Sequence, residues 1–298
     1  MMTRLGNFVF LGLIYLGWMY RQSLDQKIRA IWIYLRTSWL FQLESFEPLL
    51  VICSFAVFIG AFNLLDLFII ENDVPSHMSN RAGPNQADSP SVLIRFASRF
   101  NHYRIEPELL PSKLVSKKHL FRFSALKKVV LYLTPIVALD IAWPRRVLSV
   151  EPPSFLGLVG QVMSALFIYD SLFTICHLWL HKSKAKFHQI HAKHHRHLRI
   201  QAMDTINLSL VEATSEVLFS IFALNIVGCH PLARVVYDIL IVYLLVEIHS
   251  GYDFPFNLAN LVPLGLFSGP REHYLHHRYG NVHYHKFFSC LNFLGMIA

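Results

Sequence analysis

Three groups of closely spaced histidines are the residues of this sequence best suited to chemistry. The segment H-L-W-L-H separates its histidines by four residues, and the segments H-A-K-H-H and H-Y-L-H-H place theirs at i, i+3 and i+4. On a helix, residues with these spacings share one face. The eight positions are His177, His181, His191, His194, His195, His273, His276 and His277. Their spacing predicts that each group presents its imidazoles together, as metal ligands do.

Eight imidazoles are enough to hold two metal ions with about four ligands each, which leaves coordination positions open for dioxygen. Imidazole suits iron, zinc, copper and nickel. A structural zinc site is normally a closed tetrahedron, often with cysteine, and needs fewer histidines. The H-E-x-x-H signature of zinc proteases is absent. A single histidine is more often a surface or packing residue, but the joint spacing of three groups favours metal binding.

The composition indicates a membrane protein. Hydrophobic residues make up 54% of the chain, charged residues 15%, and the mean hydropathy is +0.39. A membrane-spanning helix needs about 20 apolar residues. The predicted spans are Leu49–Ile70, Val129–Trp143, Phe155–Trp179, Leu208–Cys229 and Leu232–Ile248, and Phe8–Tyr20 is interpreted as a signal anchor or interfacial helix. The net charge of +8 lies mostly in loops that flank these runs, which favours membrane orientation over nucleic acid binding.

One topology brings the three histidine groups to the same membrane face. From Gln161 to Val227 there is neither glycine nor proline, which predicts a helix that leaves the membrane and runs along its surface. The breakers at 228–231 predict the turn of a helical hairpin, which returns His249 to the side that carries His177. Basic residues near the first two groups predict a cytosolic face. They are Lys182, Lys184, Lys186, Lys193, Arg196 and Arg199.

The predicted fold is therefore all-α, a multi-span integral membrane helical bundle with a cytosolic histidine-rich helical cap. The stretch from Glu71 to about Lys118 is polar and contains several prolines, so it is not one continuous helix. We predict two parts: anchor helices with a polar cytosolic loop over residues 1–118, and a catalytic membrane domain over residues 119–298.

The histidine pattern and its surroundings resemble the sterol desaturase and fatty acid hydroxylase superfamily, whose members carry H-x-x-x-H, H-x-x-H-H and a distal H-x-x-H-H. All eight positions match. The segments N-I-V-G-C-H-P-L, V-E-I-H-S-G-Y-D-F-P and L-V-P-L-G resemble its sterol-hydroxylating branch, and the resemblance extends from about Leu120 onwards. His249 stands where the family has a further histidine, so it is predicted as a ligand or a close neighbour of one.

The resemblance implies a di-iron site that activates dioxygen and inserts one oxygen atom into a C–H bond of a sterol or related lipid. It also implies the endoplasmic reticulum membrane, and electrons from NADH or NADPH through a reductase, often with cytochrome b5. Breaking an aliphatic C–H bond exceeds the acid-base and nucleophilic chemistry of side chains, so a redox metal agrees with this reading.

Carboxylates near the histidines are candidates for supporting roles. Asp170 precedes His177 by two helical turns and is predicted either to orient an imidazole or to pack. Glu212 and Glu216 lie in an apolar span, where a carboxylate usually faces protein or a cavity. Three further carboxylates flank the motifs without an assigned role: Glu247, Asp253 and Glu272. His188 is predicted to be a supporting or surface residue, and His283 and His285 are interpreted as interfacial.

Several functions remain open from the sequence. Within the same chemistry, the alternatives to a hydroxylase are a C-4 methylsterol oxidase and a lipid desaturase. A non-catalytic metal-binding membrane scaffold is the alternative of another class, motivated by Asn292 near the position where the family has an aspartate. A haem protein or a metal transporter also uses intramembrane histidines, but the number of clustered histidines argues against both.

Overall fold

The computed structural model describes residues 2–72, 99–106, 148–196, 200–292 and 294. Within these ranges the chain is helical, without a β-strand, and two isolated bridges join Arg104 to Tyr252 and Phe267 to Phe288. The all-α prediction is confirmed. The predicted span Val129–Trp143 and most of the polar stretch between 71 and 118 lie outside the described residues.

The helices fall into an N-terminal set and a C-terminal set. The N-terminal helices are α1 (Met2–Met19), α2 (Arg21–Thr37), α3 (Trp39–Gln42) and α4 (Phe46–Asn72). The C-terminal helices are α5 (Phe155–Lys182), α6 (Leu210–Val227), α7 (Pro231–His249), α8 (Leu258–Leu261) and α9 (Pro270–Tyr279). Shorter helical turns span Lys184–Lys186, Phe187–His191, His194–Arg196, Ala202–Ile206, Pro263–Gly265 and Ser289–Leu291.

Three helices, α4, α5 and α6, are long and apolar enough to cross a membrane. They correspond to three of the predicted spans. The outward side chains of α6 include Phe222 and Ile226, which are 54% and 57% exposed, as expected for a surface that faces lipid. Helix α7 corresponds to the predicted span Leu232–Ile248 and carries three charged residues, of which Arg234 forms an ion pair with Glu47 at the start of α4.

The chain reverses direction between α6 and α7, where the sequence predicted a hairpin. Helix α6 ends at Gly228, which has a φ of 64° that glycine adopts without steric cost. Pro231 then begins α7, and the ring of His230 caps it by accepting the amide of Leu232 at 3.1 Å. Because of this reversal, the last turn of α7 and its His249 lie at the same end of the bundle as the last turn of α5.

The hydrophobic core is shared by helices from both parts of the chain. Helix α5 packs against α6 and α7, and α7 packs along α4. The buried core includes Leu166 of α5, Leu224 of α6, Ile241 of α7 and Ile59 of α4. The division at residue 118 stays a prediction, but α4 contributes directly to the core around which the C-terminal helices are arranged.

The segment that carries the second histidine group differs from the predicted surface helix. Helix α5 ends at Ser183, and the chain continues as a one-turn helix, a π-helical turn over Phe187–His191 and a 3-10 turn over His194–Arg196. A π turn is wider and a 3-10 turn is tighter than an α turn, so neighbouring residues rotate differently about the axis. The three histidines of this segment therefore do not follow the regular α-helical spacing that the sequence predicted.

Candidate metal centre

All nine histidines predicted as ligands meet at one end of the helical bundle. The last two turns of α5 supply the first group, the π and 3-10 turns supply the second, and α9 supplies the third. His249, the last residue of α7, completes the set. The structure therefore brings together residues that span a hundred positions in the sequence.

The nine histidines divide into two groups, each of which offers ring nitrogens within 4.8 Å of one another. The five-histidine group contains His177, His181, His191, His195 and His276. The four-histidine group contains His194, His249, His273 and His277, all of them buried. The two groups adjoin, because the rings of His195 and His277 stack with their centroids 4.4 Å apart.

Main-chain carbonyls fix the orientation of three of these rings. The Nδ1 of His177 lies 2.7 Å from the carbonyl oxygen of Tyr284, and the Nδ1 of His276 lies 2.7 Å from that of Val282. His249 makes the equivalent contact with Leu245 in its own helix, also at 2.7 Å. Because a carbonyl oxygen only accepts, each Nδ1 donates its hydrogen, and each Nε2 is left without one.

The carboxylate of Glu212 holds a fourth ring. It accepts a hydrogen bond from the Nδ1 of His191, and both groups are buried. The same carboxylate accepts the amide of Ser209 at 3.0 Å and its hydroxyl at 2.8 Å, which caps the first turn of α6. Glu212, a candidate from its position in an apolar span, thus joins a helix terminus to an imidazole.

The bare Nε2 atoms face one another at short distances. The Nε2 of His177 lies 2.9 Å from that of His191, and the Nε2 of His249 lies 2.9 Å from that of His273. Where both rings donate through Nδ1, as in His177 and His191, two lone pairs point at each other and repel. A shared cation would remove that repulsion, and neighbouring nitrogens about 3 Å apart are compatible with metal–nitrogen bonds of about 2.0–2.1 Å. The donor set therefore fits a metal ion.

Burial keeps the imidazoles neutral. It lowers the pKa of His191 to about 3 and that of His195 to about 4, with smaller contributions from neighbouring positive charge. Burial, followed by the surrounding histidines, lowers the pKa of His276 and His277 well below the ordinary value of 6.5. A neutral imidazole has a free lone pair for a metal, whereas a protonated one has none.

Asp170, predicted either to orient an imidazole directly or to pack, is fully buried and contacts no imidazole among the described residues. Its carboxylate accepts three main-chain amides beyond α9, from Lys286 at 2.8 Å, Phe287 at 3.0 Å and Phe288 at 2.7 Å. These residues follow Tyr284, whose carbonyl orients His177. No sequence pattern marks the main-chain acceptors, because any residue type supplies a carbonyl.

The other candidate carboxylates have partners away from the imidazoles. Glu216 pairs with the buried ammonium of Lys286 at 2.7 Å, and Glu247 accepts the hydroxyl of Tyr243 at 2.7 Å. Asp253 accepts the amide of Asn260, and Glu272 caps the start of α9 at the amide of Gly269. Lys286, which the sequence reasoning missed, is the buried cation beside the centre.

Three further histidines that the sequence analysis considered lie outside both groups. His188 is exposed, in agreement with the surface interpretation. His283 is partly buried and has a positive φ of 52°. The interfacial interpretation of His285 is wrong, since it is only 2% exposed and its Nε2 lies 2.6 Å from the hydroxyl of Ser268.

Comparison with known proteins gives one family and several relatives. Residues 162–295 match the family model of fatty acid hydroxylases. The chain is 29% identical to cholesterol 25-hydroxylase of Homo sapiens over 198 residues, which cover 66% of this chain and 72% of that protein. It is 29% identical to the enzyme of that name from Rattus norvegicus, covering 66% of each chain.

A more distant relative has a different activity in its name. The chain is 27% identical over 205 residues to very-long-chain aldehyde decarbonylase GL1-8 of Oryza sativa, covering 63% of this chain and 69% of that protein. No solved structure matches significantly. All nine clustered histidines fall within the residues that match the family model.

Proposed function

The chain belongs to the sterol desaturase and fatty acid hydroxylase superfamily, and from this membership we propose that it is a membrane-bound non-haem di-iron monooxygenase. Its substrate is a sterol, as for cholesterol 25-hydroxylase, or a related lipid. The single observation that carries the proposal is the meeting of nine imidazoles, seven of them buried and two partly buried, in two adjoining groups at one end of an apolar bundle.

The five-histidine group would hold one iron and the four-histidine group the other. Bound iron supplies the one-electron and dioxygen chemistry that no side chain provides. The protein's own contribution is orientation. The carbonyls of Tyr284, Val282 and Leu245 and the carboxylate of Glu212 hold each Nδ1 proton, so that the Nε2 lone pairs converge. Burial of these rings excludes bulk water from the site.

The membrane setting supports a lipid substrate. Helices α4, α5 and α6 are long enough to span the bilayer, and the two histidine groups lie where α5 and α7 end. A lipid that diffuses in the bilayer reaches this end of the bundle without crossing water. We propose the endoplasmic reticulum as the membrane, with the histidines facing the cytosol. The basic residues Lys182, Lys184 and Lys186 beside α5 support that orientation.

Electrons would come from NADH or NADPH through a membrane reductase, with or without cytochrome b5. The cytosolic orientation makes such donors accessible. Hydroxylation consumes one dioxygen, two electrons and two protons and releases one water for each oxygen atom inserted into the lipid, so a reducing partner is required by the stoichiometry.

The test is product identification in sterol-containing membranes, with mass spectrometry of the extracted lipids. The wild type is expected to form a hydroxylated sterol only when iron, NADPH and a reductase are present. The variant His249→Ala removes a nitrogen from the four-histidine group and is expected to abolish the product. His188→Ala is the matched control, because it removes an exposed histidine outside both groups and should leave the product unchanged.

The result that rejects the hydroxylase is a protein that binds two irons, accepts electrons and yet forms no oxidised lipid. That outcome would favour the metal-binding scaffold. The same experiment separates the other redox activities, because a methylsterol oxidase leaves an oxidised methyl group and a desaturase leaves a double bond. The similarity to an aldehyde decarbonylase makes a long-chain aldehyde the second substrate to test, with a shortened hydrocarbon as its product.

A further inference from the structure

A short segment after α9 links Asp170 to the five-histidine group. We call residues 282–288 the strap. At one end of the strap, the carbonyls of Val282 and Tyr284 accept the Nδ1 hydrogens of His276 and His177. At the other end, both carboxylate oxygens of Asp170 accept strap amides. We propose that Asp170 is a positioning residue for the five-histidine group and acts through the strap.

Asp170 holds the strap through three hydrogen bonds. Its Oδ1 accepts the amide of Lys286, and its Oδ2 accepts those of Phe287 and Phe288, all between 2.7 and 3.0 Å. The carboxylate is fully buried. Hydrogen bonds to a buried charged acceptor are stronger than neutral ones, and an amide left without a partner there is costly. Three such bonds fix the strap against the middle of α5.

Among the described residues, the strap makes hydrogen bonds to rings of the five-histidine group and none to rings of the other group. Both rings that it orients, His177 of α5 and His276 of α9, belong to the five-histidine group. In the four-histidine group, His249 is oriented by Leu245 within α7 itself. The Nδ1 atoms of His194 and His277 are buried and have no hydrogen-bond partner among the described residues. A displaced strap should therefore weaken one metal position and spare the other.

The inference rests on the metal centre of the proposed function, and it is tested by metal binding alone. Two backgrounds separate the groups: His273→Ala leaves only the five-histidine group complete, and His177→Ala leaves only the four-histidine group complete. Asp170→Asn puts an NH₂ group against strap amides that need an acceptor. Loss of a partner outside the ligands typically costs about 10–100-fold in metal affinity. We expect Asp170→Asn to weaken Co²⁺ binding by this factor in the His273→Ala background.

In the His177→Ala background, Asp170→Asn should change the Co²⁺ affinity by less than about twofold, since sites without a shared partner are nearly additive. The matched control is Thr174→Val. Thr174 is buried in the same helix, one turn from Asp170 and one turn from His177, and within the described part of the chain its hydroxyl bonds only to the carbonyl of Asp170. This control should not alter the affinity or the visible spectrum of bound Co²⁺ in either background.

Equal weakening in both backgrounds would mean a general structural role and would overturn the inference, as would no weakening in either. If Asp170→Asn does not fold, hydrogen exchange of the wild-type protein tests the inference instead. Co²⁺ loading should slow the exchange of the amides at 286–288, and unchanged exchange there refutes the coupling between the metal centre and the strap. Neither measurement uses a lipid or dioxygen. A wild type that binds Co²⁺ normally but forms no product with iron rejects the hydroxylase and leaves the role of Asp170 standing.

Discussion

The substitution Glu212→Gln tests whether a carboxylate controls which nitrogen of His191 is free. In the wild type, one oxygen of Glu212 accepts the Nδ1 hydrogen of His191 and the other accepts the amide and hydroxyl of Ser209. A glutamine has one oxygen and one NH₂ group. If its oxygen turns to Ser209, the NH₂ group faces Nδ1, and the ring must carry its hydrogen on Nε2 instead. That tautomer has no lone pair for the metal.

The expected cost follows from the loss of one oriented ligand among five. Removing such a supporting partner weakens metal binding by about 10–100-fold, which corresponds to roughly 1.4–2.7 kcal/mol. Competition of the detergent-purified protein with a chelator for Co²⁺ measures the loss. The binding should weaken at the five-histidine group, to which His191 belongs, and stay unchanged at the four-histidine group.

Ser209→Ala is the matched control for the capping role of Glu212. It removes the hydroxyl that caps α6 but leaves the carboxylate on His191. Loss of a cap costs about 1 kcal/mol of stability, so thermal unfolding should shift while the metal affinity stays within about twofold. Wild-type affinity in Glu212→Gln, or an equal loss of affinity in Ser209→Ala, would refute the tautomer argument.

Three other perturbations have defined outcomes. Lys286→Met leaves the carboxylate of Glu216 without its buried partner and should lower the free energy of unfolding by roughly 3–5 kcal/mol in denaturant titration. The double variant Lys286→Met with Glu216→Leu should recover most of this loss, and no recovery would contradict the pairing. Gly269→Ala would bring a new Cβ to 2.7 Å from the Cβ of Ala259 and should destabilise α9 by about 1–3 kcal/mol, with rescue by Ala259→Gly in thermal melts. Burial lowers the pKa of His195 to about 4, so the unfolded chain takes up the proton first. Metal-free protein should therefore lose stability as the pH falls from about 6.5 towards 4, and metal-loaded protein should lose at least as much, because bound metal keeps the imidazole of the folded state unprotonated.

The sequence was sufficient for the three spans that correspond to α4, α5 and α6 and for the clustering of the histidines. Helical periodicity and the breakers at 228–231 predict where chain segments run, and both depend on residues close together in the chain. The prediction that His249 joins the others followed from the hairpin together with the family resemblance. The structure adds that it completes the four-histidine group.

The division of nine histidines into five and four was beyond the sequence, because it depends on contacts between distant segments. Local pattern favoured a helix over His191 and His195, but the ring contacts with α5 and α9 favour π and 3-10 turns instead. Asp170 shows the same limit. Its partners lie 116 or more residues away and are main-chain amides, which no side-chain motif marks.

A centre lined by nitrogen alone discriminates poorly between divalent ions. All nine candidate ligands are imidazoles, and the affinity of such sites rises from iron through cobalt and nickel to copper, with zinc also binding well. Under the proposed function, iron would be a weak competitor for this centre. Correct loading would then depend on which ions the cell makes available during synthesis, and excess zinc or copper would inactivate the proposed enzyme by occupying the centre without unfolding it.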